Sequence, residues 1–241
     1  MTDPSRDGLP PTGPWQWARV QAVRPENRHV VTLRLAVGDW TAHLPGQHYV
    51  VRLTAEDGYR ASRSYSVSSP PEDAGVVELT VDRLPDGEVS PYLVDELAVG
   101  DEVEVRGPIG GHFVWRGHSP LLLVAGGSGI APVMAMLRSR RLSHPDAPAR
   151  LLFSVRSPDD LIFAAELGGE TTVVHTRRTP AGSVRPAGRI TAADVAAVAF
   201  DAGPAYVCGS SGFVETAARL LADTAGYDPT RILLERYGPT S

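Results

Sequence analysis

The chain has 241 residues, of which 42% are hydrophobic and 21% are charged, and its formal net charge is −5. This composition is typical of a globular protein with one large domain or two of ordinary size, and the acidic balance argues against general binding of nucleic acids. The single cysteine excludes an internal disulfide framework or an iron–sulfur cluster held by these residues, and the lack of lysine excludes Schiff-base chemistry.

The first segment, residues 1–14, lacks the charged-then-apolar pattern of an export signal, and we expect it to be a flexible leader. The longest apolar runs of the chain, such as "PLLLVAGG", are too short to cross a bilayer. Together with the single cysteine, these features predict a cytoplasmic protein.

Residues 15–116 are expected to form an antiparallel β-barrel. Six short runs rich in Val, Leu and aromatic residues are separated by Gly, Pro, Asp and Asn, a pattern typical of such a barrel. The six predicted strands are 15–23, 29–37, 47–53, 62–68, 76–84 and 101–108. A helix interrupts them in "SPYLVDELAVG", where Ser90 can cap the helix, Pro91 suits its first position and Gly100 ends it.

Residues 117–241 change to a regular alternation of strands and helices, which predicts a five-stranded parallel sheet with helices on its faces. The predicted strands are 120–127, 149–156, 171–178, 204–210 and 231–238, and the predicted helices are 131–142, 159–167, 191–199 and 212–226. Residues 1–116 hold 11 Arg against 17 acidic residues, whereas residues 117–241 hold 12 Arg against 11. The second module is therefore better suited to an anion.

The strand-to-helix turn Gly126-Gly127-Ser128-Gly129 is the clearest local signal. Glycines let a backbone approach a ligand closely, and a helix N-terminus offers free N–H groups to an anion. In an open parallel sheet, ligands bind beyond the carboxyl ends of the strands. Taken alone, the turn is open to two interpretations, a nucleotide site or close packing of helix on strand.

Arginines occur at the ends of the predicted strands, at the same edge of the sheet. Arg156 ends one predicted strand, Arg177 and Arg178 end the next, and Arg189 precedes a helix. A single loop arginine is commonly just solvated, but arginines from three places along the chain at one edge predict a phosphate site that suits the 2′-phosphate of NADP better than NAD. Cys208 ends another strand at this edge and is either core packing or a ligand contact.

Six motifs then occur in one order along the chain. They are "LPGQHYVVRL", "RSYSVSS" with "GEVS" further along, "GPIGGHF", "VAGGSGIAP", "YVCGSSGFV" and "ERYG". Together they resemble the ferredoxin–NADP⁺ reductase superfamily over roughly residues 15–238, in the form of a single-chain member without an iron–sulfur domain. The resemblance implies a flavin domain at 15–116 and an NADP-binding α/β domain at 117–241.

The resemblance assigns the first domain to the flavin. Arg63 would bind the flavin phosphate, Tyr65 would stack on the isoalloxazine ring, and Ser66 would hydrogen-bond near the N5 atom that receives hydride. The turn before the predicted helix would hold the pyrophosphate. The implied flavin-binding residues are Arg63, Ser64, Tyr65, Ser66, Gly87, Glu88, Val89 and Ser90.

The resemblance assigns the second domain to the nicotinamide nucleotide. Cys208 would shape the nicotinamide pocket, Glu235 would assist proton transfer or orientation, and Tyr237 would cover the flavin until nicotinamide displaces it. The implied catalytic residues are Ser66, Cys208, Glu235 and Tyr237. The implied nucleotide-binding residues are Gly126, Gly127, Ser128, Gly129, Arg156, Arg177, Arg189, Cys208 and Gly209. Histidines are isolated from carboxylates and cysteines, so no metal site is expected.

The expected function is hydride transfer from NADPH to FAD, followed by electron transfer to a separate redox protein, such as a ferredoxin, a flavodoxin or an oxygenase partner. FAD is expected rather than FMN, and NADPH rather than NADH. Two alternatives stay open: a reductase of free flavin, ferric chelates or other small acceptors, and a flavin-binding electron-transfer or regulatory subunit that does not use NADPH. No nucleic-acid partner and no membrane span are expected.

Two features depart from the family pattern. Phe213 stands near the place where the family often has Met after its Cys-Gly motif, which affects the expected nicotinamide pocket. The chain also continues past Tyr237 with "GPTS", so we expect this tail to turn away from the site.

Overall fold

The structure is a computed structural model that describes residues 13–200 and 203–238. The expected flexible leader, apart from its last two positions, and the end of the tail after residue 238 lie outside the described residues. The chain divides into two compact units. The first comprises the described residues up to Arg116 together with Met134–Ser139, and the second comprises Gly117–Val133 and the described residues from Arg140 onward.

The first unit is a six-stranded antiparallel sheet, as predicted. Its strands are β1 (Gln16–Pro25), β2 (Val30–Val37), β3 (His48–Thr54), β4 (Arg60–Ser66), β5 (Val76–Asp82) and β6 (Glu102–Ile109), in the order β4-β3-β6-β1-β2-β5. Valines and leucines of these strands form one buried cluster, because alternate side chains of each strand point to the same face.

Residues that follow β4 close this sheet into a barrel against β5. Val67 forms an isolated antiparallel bridge with Leu79, and the Ser68 backbone N–H donates to the Glu78 carbonyl at 2.8 Å. The Ser69 hydroxyl accepts from the Glu78 backbone N–H at 3.0 Å. Ser68 and Ser69 are fully buried, so these two serines complete the ladder of the barrel.

Helix α1 spans Ser90–Asp95 and ends earlier than predicted. Val89 occupies the N-cap position without a side-chain hydrogen bond, and Ser90 is the first helical residue. The Ser90 hydroxyl accepts from the Leu84 backbone N–H at 3.0 Å, so it closes the preceding turn instead. The prediction that Ser90 caps the helix, with Pro91 in its first position, is therefore wrong.

The second unit contains the predicted five-stranded parallel sheet. Its strands are β7 (Leu121–Gly126), β8 (Ala149–Val155), β9 (Thr171–His175), β10 (Ala205–Ser210) and β11 (Ile232–Tyr237), in the order β11-β10-β7-β8-β9. The helices that follow are α2 (Ile130–Ser143), α3 (Ala192–Val198) and α4 (Ser211–Ala225). Since β7 lies at the centre, the turn after it has neighbours on both sides.

The helix predicted at 159–167 is replaced by two single 3₁₀ turns, Pro158–Asp160 and Ala164–Glu166. Phe163, between them, has a left-handed backbone with φ of 55°, which a continuous α-helix cannot contain. Its side chain is buried, so packing holds the strained residue in place.

Among the described residues, no helix is both long and apolar enough to span a membrane.

Candidate functional site

The predicted flavin-phosphate arginine lies in a small polar cluster on the first unit. Arg63 on β4 donates from Nη2 to Glu88 Oε2 at 2.8 Å, and the Tyr59 hydroxyl donates to Glu88 Oε1 at 2.6 Å. These two hydrogen bonds lower the pKa of Glu88, with the bond from Tyr59 as the first cause. The carboxylate is therefore ionised at neutral pH and holds the exposed Arg63 guanidinium in one orientation.

Tyr65 on β4 is a partly buried residue whose hydroxyl lacks a hydrogen-bond partner among the described residues. It packs against the core of the first unit, and its hydroxyl is buried. Burial raises the pKa of this hydroxyl, so it stays a neutral donor. Because a buried hydroxyl without a partner is costly, the atom fits a ligand that supplies an acceptor. Ser66 ends β4 opposite His48, and Ser64 is exposed opposite Val50.

The turn before α1 requires its glycine. A Cβ on Gly87 would lie 2.9 Å from the Ser90 hydroxyl and 3.2 Å from the Leu84 carbonyl oxygen. Val89 is buried, whereas the Glu88 side chain is exposed. The structure therefore brings Glu88 to Arg63, while the Ser90 hydroxyl is engaged by the backbone of the turn.

The glycine turn after β7 lies directly against the end of β10. A Cβ on Gly129 would lie 2.5 Å from the Cys208 carbonyl oxygen, and Gly127 has a φ of +55°. Both positions therefore require glycine, one for close approach and the other for a left-handed backbone. The turn Gly126–Gly129 and the segment Cys208–Gly209 are thus brought together, as their predicted roles require.

Cys208 and Glu235 are direct partners in the register of β10 and β11. Burial raises the pKa of the Cys208 thiol well above its ordinary value, and the nearby Glu235 charge raises it further. The thiol is therefore protonated at neutral pH, and it can line a pocket but not act as a thiolate nucleophile.

Aromatic side chains border the same glycine turn. The Tyr237 hydroxyl donates to the Gly126 carbonyl at 2.7 Å, and a Cβ on Gly127 would lie 2.9 Å from that hydroxyl. The Phe213 ring would meet a Cβ placed on Gly126 or Gly209 at 2.8 and 2.6 Å. The Phe213 ring therefore occupies the space that a side chain at Gly126 or Gly209 would need. Tyr65 and Tyr237 belong to different units, and their predicted approach across a flavin stays a prediction.

The predicted phosphate arginines follow neighbouring strands. Arg156 follows β8, and its carbonyl accepts the backbone N–H groups of Arg177 at 2.9 Å and Arg178 at 3.2 Å. Arg178 forms an ion pair with Asp159, whereas Arg156, Arg177 and Arg189 are exposed, and no ion pair of theirs is found within residues 13–200 and 203–238. The contacts thus favour Arg177 over Arg178 as the free phosphate ligand.

The loop that carries Arg189 is anchored by a residue that the sequence reasoning missed. Arg185 donates from Nε and Nη2 to the two carboxylate oxygens of Asp194 at 2.7 Å each, and from Nη2 to the Arg189 carbonyl at 2.9 Å. The Gly188 backbone N–H donates to the His175 carbonyl at 3.0 Å, which returns the loop to the end of β9. Asp194 forms a capping box with Thr191 at the start of α3. The sequence signal for this anchor was a basic residue nine positions before Asp194.

No group of three His, Cys, Asp or Glu side chains suited to a metal ion is found in the described part of the chain. The described site residues instead offer hydroxyls, guanidinium groups and glycine turns. These groups fit a phosphorylated, aromatic cofactor in each unit.

Comparisons with known proteins agree with this chemistry. Residues 19–115 match the oxidoreductase FAD-binding domain, and residues 123–219 match the oxidoreductase NAD-binding domain. The chain is 32% identical over 230 residues to the ferredoxin–NAD(P)⁺ reductase component of naphthalene 1,2-dioxygenase/salicylate 5-hydroxylase systems from Ralstonia sp, covering 92% of this chain and 68% of that protein. The chain belongs to the ferredoxin–NAD(P)⁺ reductase family.

Solved structures of this family share the fold. The FAD/NAD-binding domain of nitric oxide dioxygenase from Vibrio cholerae aligns with a TM-score of 0.82 and 26% identity, over 93% of this chain and 99% of that chain. A cytochrome P450 reductase from Amycolatopsis aligns with a TM-score of 0.78 and 28% identity, over 95% of this chain and 72% of that chain. The predicted superfamily, fold and FAD and NAD(P)H cofactors are confirmed, and the chain is an NAD(P)H-dependent flavoprotein reductase.

Several other relatives align over less of their length. The reductase component of propane 2-monooxygenase from Mycolicibacterium smegmatis is 32% identical over 153 residues, which is 62% of this chain and 43% of that protein. The matched part is therefore less than half of that protein's own length.

Proposed function

We propose that this reductase takes hydride from NADPH and delivers electrons to a separate redox protein of an oxygenase system. The observation that carries the proposal is the 32% identity over 92% of the chain to the reductase component of an aromatic-ring oxygenase system. FAD, when bound, would supply the chemistry of hydride acceptance and electron release. The protein supplies binding and orientation for that exchange.

In the first unit, Arg63 would bind the flavin phosphate and Tyr65 would pack on the isoalloxazine ring, with its hydroxyl available as a donor to the cofactor. Support comes from the Tyr65 hydroxyl, which is buried without a partner, and from the exposed guanidinium of Arg63. Ser66 follows on the same strand and donates near the reacting ring.

In the second unit, the turn Gly126–Gly129 holds the pyrophosphate, and Cys208 lines the nicotinamide pocket as a neutral thiol. Support comes from the close approach of Gly129 to Cys208 and from the raised pKa of the thiol. Glu235, opposite Cys208 in the register, orients the nicotinamide or moves a proton at this edge. Arg156, Arg177 and Arg189 bind the 2′-phosphate and make NADPH the preferred donor.

Steady-state assays with three classes of acceptor test the proposal. Reduction of ferricyanide by NADPH reports the flavin step, reduction of cytochrome c through an added ferredoxin reports transfer to a protein, and oxidation of NADPH by added free flavin reports transfer to a small molecule. We expect rapid transfer through the protein carrier. Activity with free flavin but none through any carrier protein would overturn the proposed acceptor. We also propose a cytoplasmic location, which the single cysteine favours.

A further inference from the structure

Glu88 is an exposed carboxylate that two donors of the first unit hold beside the proposed phosphate site. It accepts from Arg63 Nη2 at 2.8 Å through Oε2 and from the Tyr59 hydroxyl at 2.6 Å through Oε1. Tyr59 is itself fixed, because its backbone N–H donates to Asp57 Oδ1 at 2.9 Å and its carbonyl accepts from the Ala55 N–H at 2.9 Å. The carboxylate is therefore ordered next to Arg63 although its side chain is 46% exposed.

The orientation of the Arg63 guanidinium does not depend on Glu88 alone. Arg63 Nη1 donates to the carbonyl of its neighbour Ser62 at 2.7 Å, and this acceptor is neutral. What Glu88 adds is charge, because the hydrogen bonds from Tyr59 and Arg63 lower its pKa and keep it ionised at neutral pH. The ion pair thus neutralises the cation that is proposed to receive the flavin phosphate.

Any anion that binds Arg63 shares the guanidinium with Glu88. A phosphate and an ionised carboxylate carry charge of the same sign, so their close approach is unfavourable. Binding of the phosphate therefore requires one of two costly changes. Either the carboxylate leaves Arg63 and the 2.8 Å hydrogen bond is lost, or it stays and repels the phosphate. In both cases Glu88 lowers the affinity of the site for a phosphate.

We propose that Glu88 competes with the flavin phosphate for Arg63 and thereby weakens the binding of phosphorylated flavins. The inference rests on the proposed phosphate role of Arg63. The contact is autoinhibitory, because the protein supplies its own anion to the guanidinium that is proposed to bind one. Riboflavin has no phosphate, so its binding should not depend on this competition.

Fluorescence-quenching titrations of the deflavinated protein with FAD, FMN and riboflavin test the proposal. Glu88→Gln keeps the size of the side chain and removes its charge. It should lower the Kd for FAD and for FMN about fivefold and leave the Kd for riboflavin within about twofold. Asp86→Asn is the matched control, because Asp86 is an exposed carboxylate of the same turn, and it should leave all three values within about twofold.

Arg63→Ala separates failure of this inference from failure of the site assignment on which it rests. It should weaken FAD and FMN and leave riboflavin unchanged, and if FAD and FMN bind as before, the proposed phosphate site is wrong. If Arg63→Ala acts as expected, unchanged or weaker binding of FAD and FMN to Glu88→Gln overturns the competition. An equal gain for riboflavin, or the same gain in Asp86→Asn, overturns it as well.

Discussion

Arg156 is exposed at the carboxyl end of β8, beside the strand that leads into the glycine turn. A charge-assisted bond to a 2′-phosphate contributes about 1.5–3 kcal/mol, which corresponds to tenfold or more in affinity. Arg156→Ala should therefore raise the KM for NADPH about tenfold and leave the KM for NADH nearly unchanged in steady-state assays. Arg219, exposed on α4, provides the control, since Arg219→Ala should alter neither value. An equal rise for both nucleotides would exclude the 2′-phosphate role.

Tyr237 places its hydroxyl over the turn that is proposed to receive the pyrophosphate. The hydroxyl donates to the Gly126 carbonyl, and net hydrogen bonds of this kind contribute about 0.5–1.5 kcal/mol. Tyr237→Phe should therefore tighten NADP⁺ binding about threefold in calorimetric titrations, because the turn is released. Tyr227→Phe removes a comparable 2.6 Å bond to the Phe200 carbonyl and should leave NADP⁺ binding unchanged. Unchanged binding by Tyr237→Phe would show that this tyrosine only packs.

Single residues were predictable from the sequence where one motif fixes one role, and less so where a partner is distant. Arg63 and Tyr65 could be singled out by motif, but the partner of Arg63 lies 25 positions away at Glu88. Ser68 and Ser69 belong to the same serine-rich run as Arg63, yet they serve the barrel ladder. Local composition does not distinguish these uses, because burial decides between them.

At the scale of an element, the ion pair between Arg185 and Asp194 holds the loop between β9 and α3. Arg185 and the capping residue Thr191 together lower the pKa of Asp194, with the Arg185 bond as the first cause. Asp194→Asn should lower the melting temperature and raise the KM for NADPH. The reason is that Arg185, which donates to the Arg189 carbonyl, would no longer be held by a carboxylate. Asp223→Asn, on the exposed face of α4, is the control and should alter neither.

The stabilisation that the Arg185–Asp194 ion pair contributes should depend on pH in one direction. A carboxylate whose folded pKa lies below its unfolded value of roughly 4 stabilises the protein above that value, and the stabilisation is lost as pH falls through the folded pKa. The difference in melting temperature between the parent protein and Asp194→Asn should therefore be constant near pH 7 and shrink below about pH 4. A difference that grows on acidification would contradict the ion-pair account.

Elements with strong periodicity were predicted well. All eleven strands occur close to their expected positions, because alternating or continuous apolar runs are bounded by turn residues. The predicted helix after β8 does not form, since the segment is pinned at Phe163 in a left-handed conformation that no pattern signals. Ser90 was likewise predicted to cap the helix, but its hydroxyl accepts a hydrogen bond from the Leu84 N–H instead. Elements that depend on tertiary contacts are therefore the ones that sequence patterns miss.

At the scale of the whole molecule, the described residues include one buried cluster in the first unit and another in the second. Strands β1 to β6 supply the first cluster, which includes Leu79, whereas the second includes Leu152 of β8 together with residues of α3 and α4. Tyr65 of the proposed flavin site packs against the first cluster, and Phe213, beside the glycine turn, packs against the second. Damage to the first cluster should therefore weaken the flavin site, and damage to the second cluster should weaken the nucleotide site.

Two matched core substitutions test this division. Leu79 and Leu152 are both fully buried, and Leu→Ala in a core costs about 2–5 kcal/mol of unfolding free energy. Leu79→Ala should speed hydrogen exchange in β1 to β6 and weaken FAD binding, while Leu152→Ala should speed exchange in β7 to β11 and weaken NADP⁺ binding. Leu142→Ala, at a 62% exposed position, is the control and should change neither. Equal acceleration in both units by either core variant would show that the clusters act as one cooperative core, because exchange reports where local opening occurs.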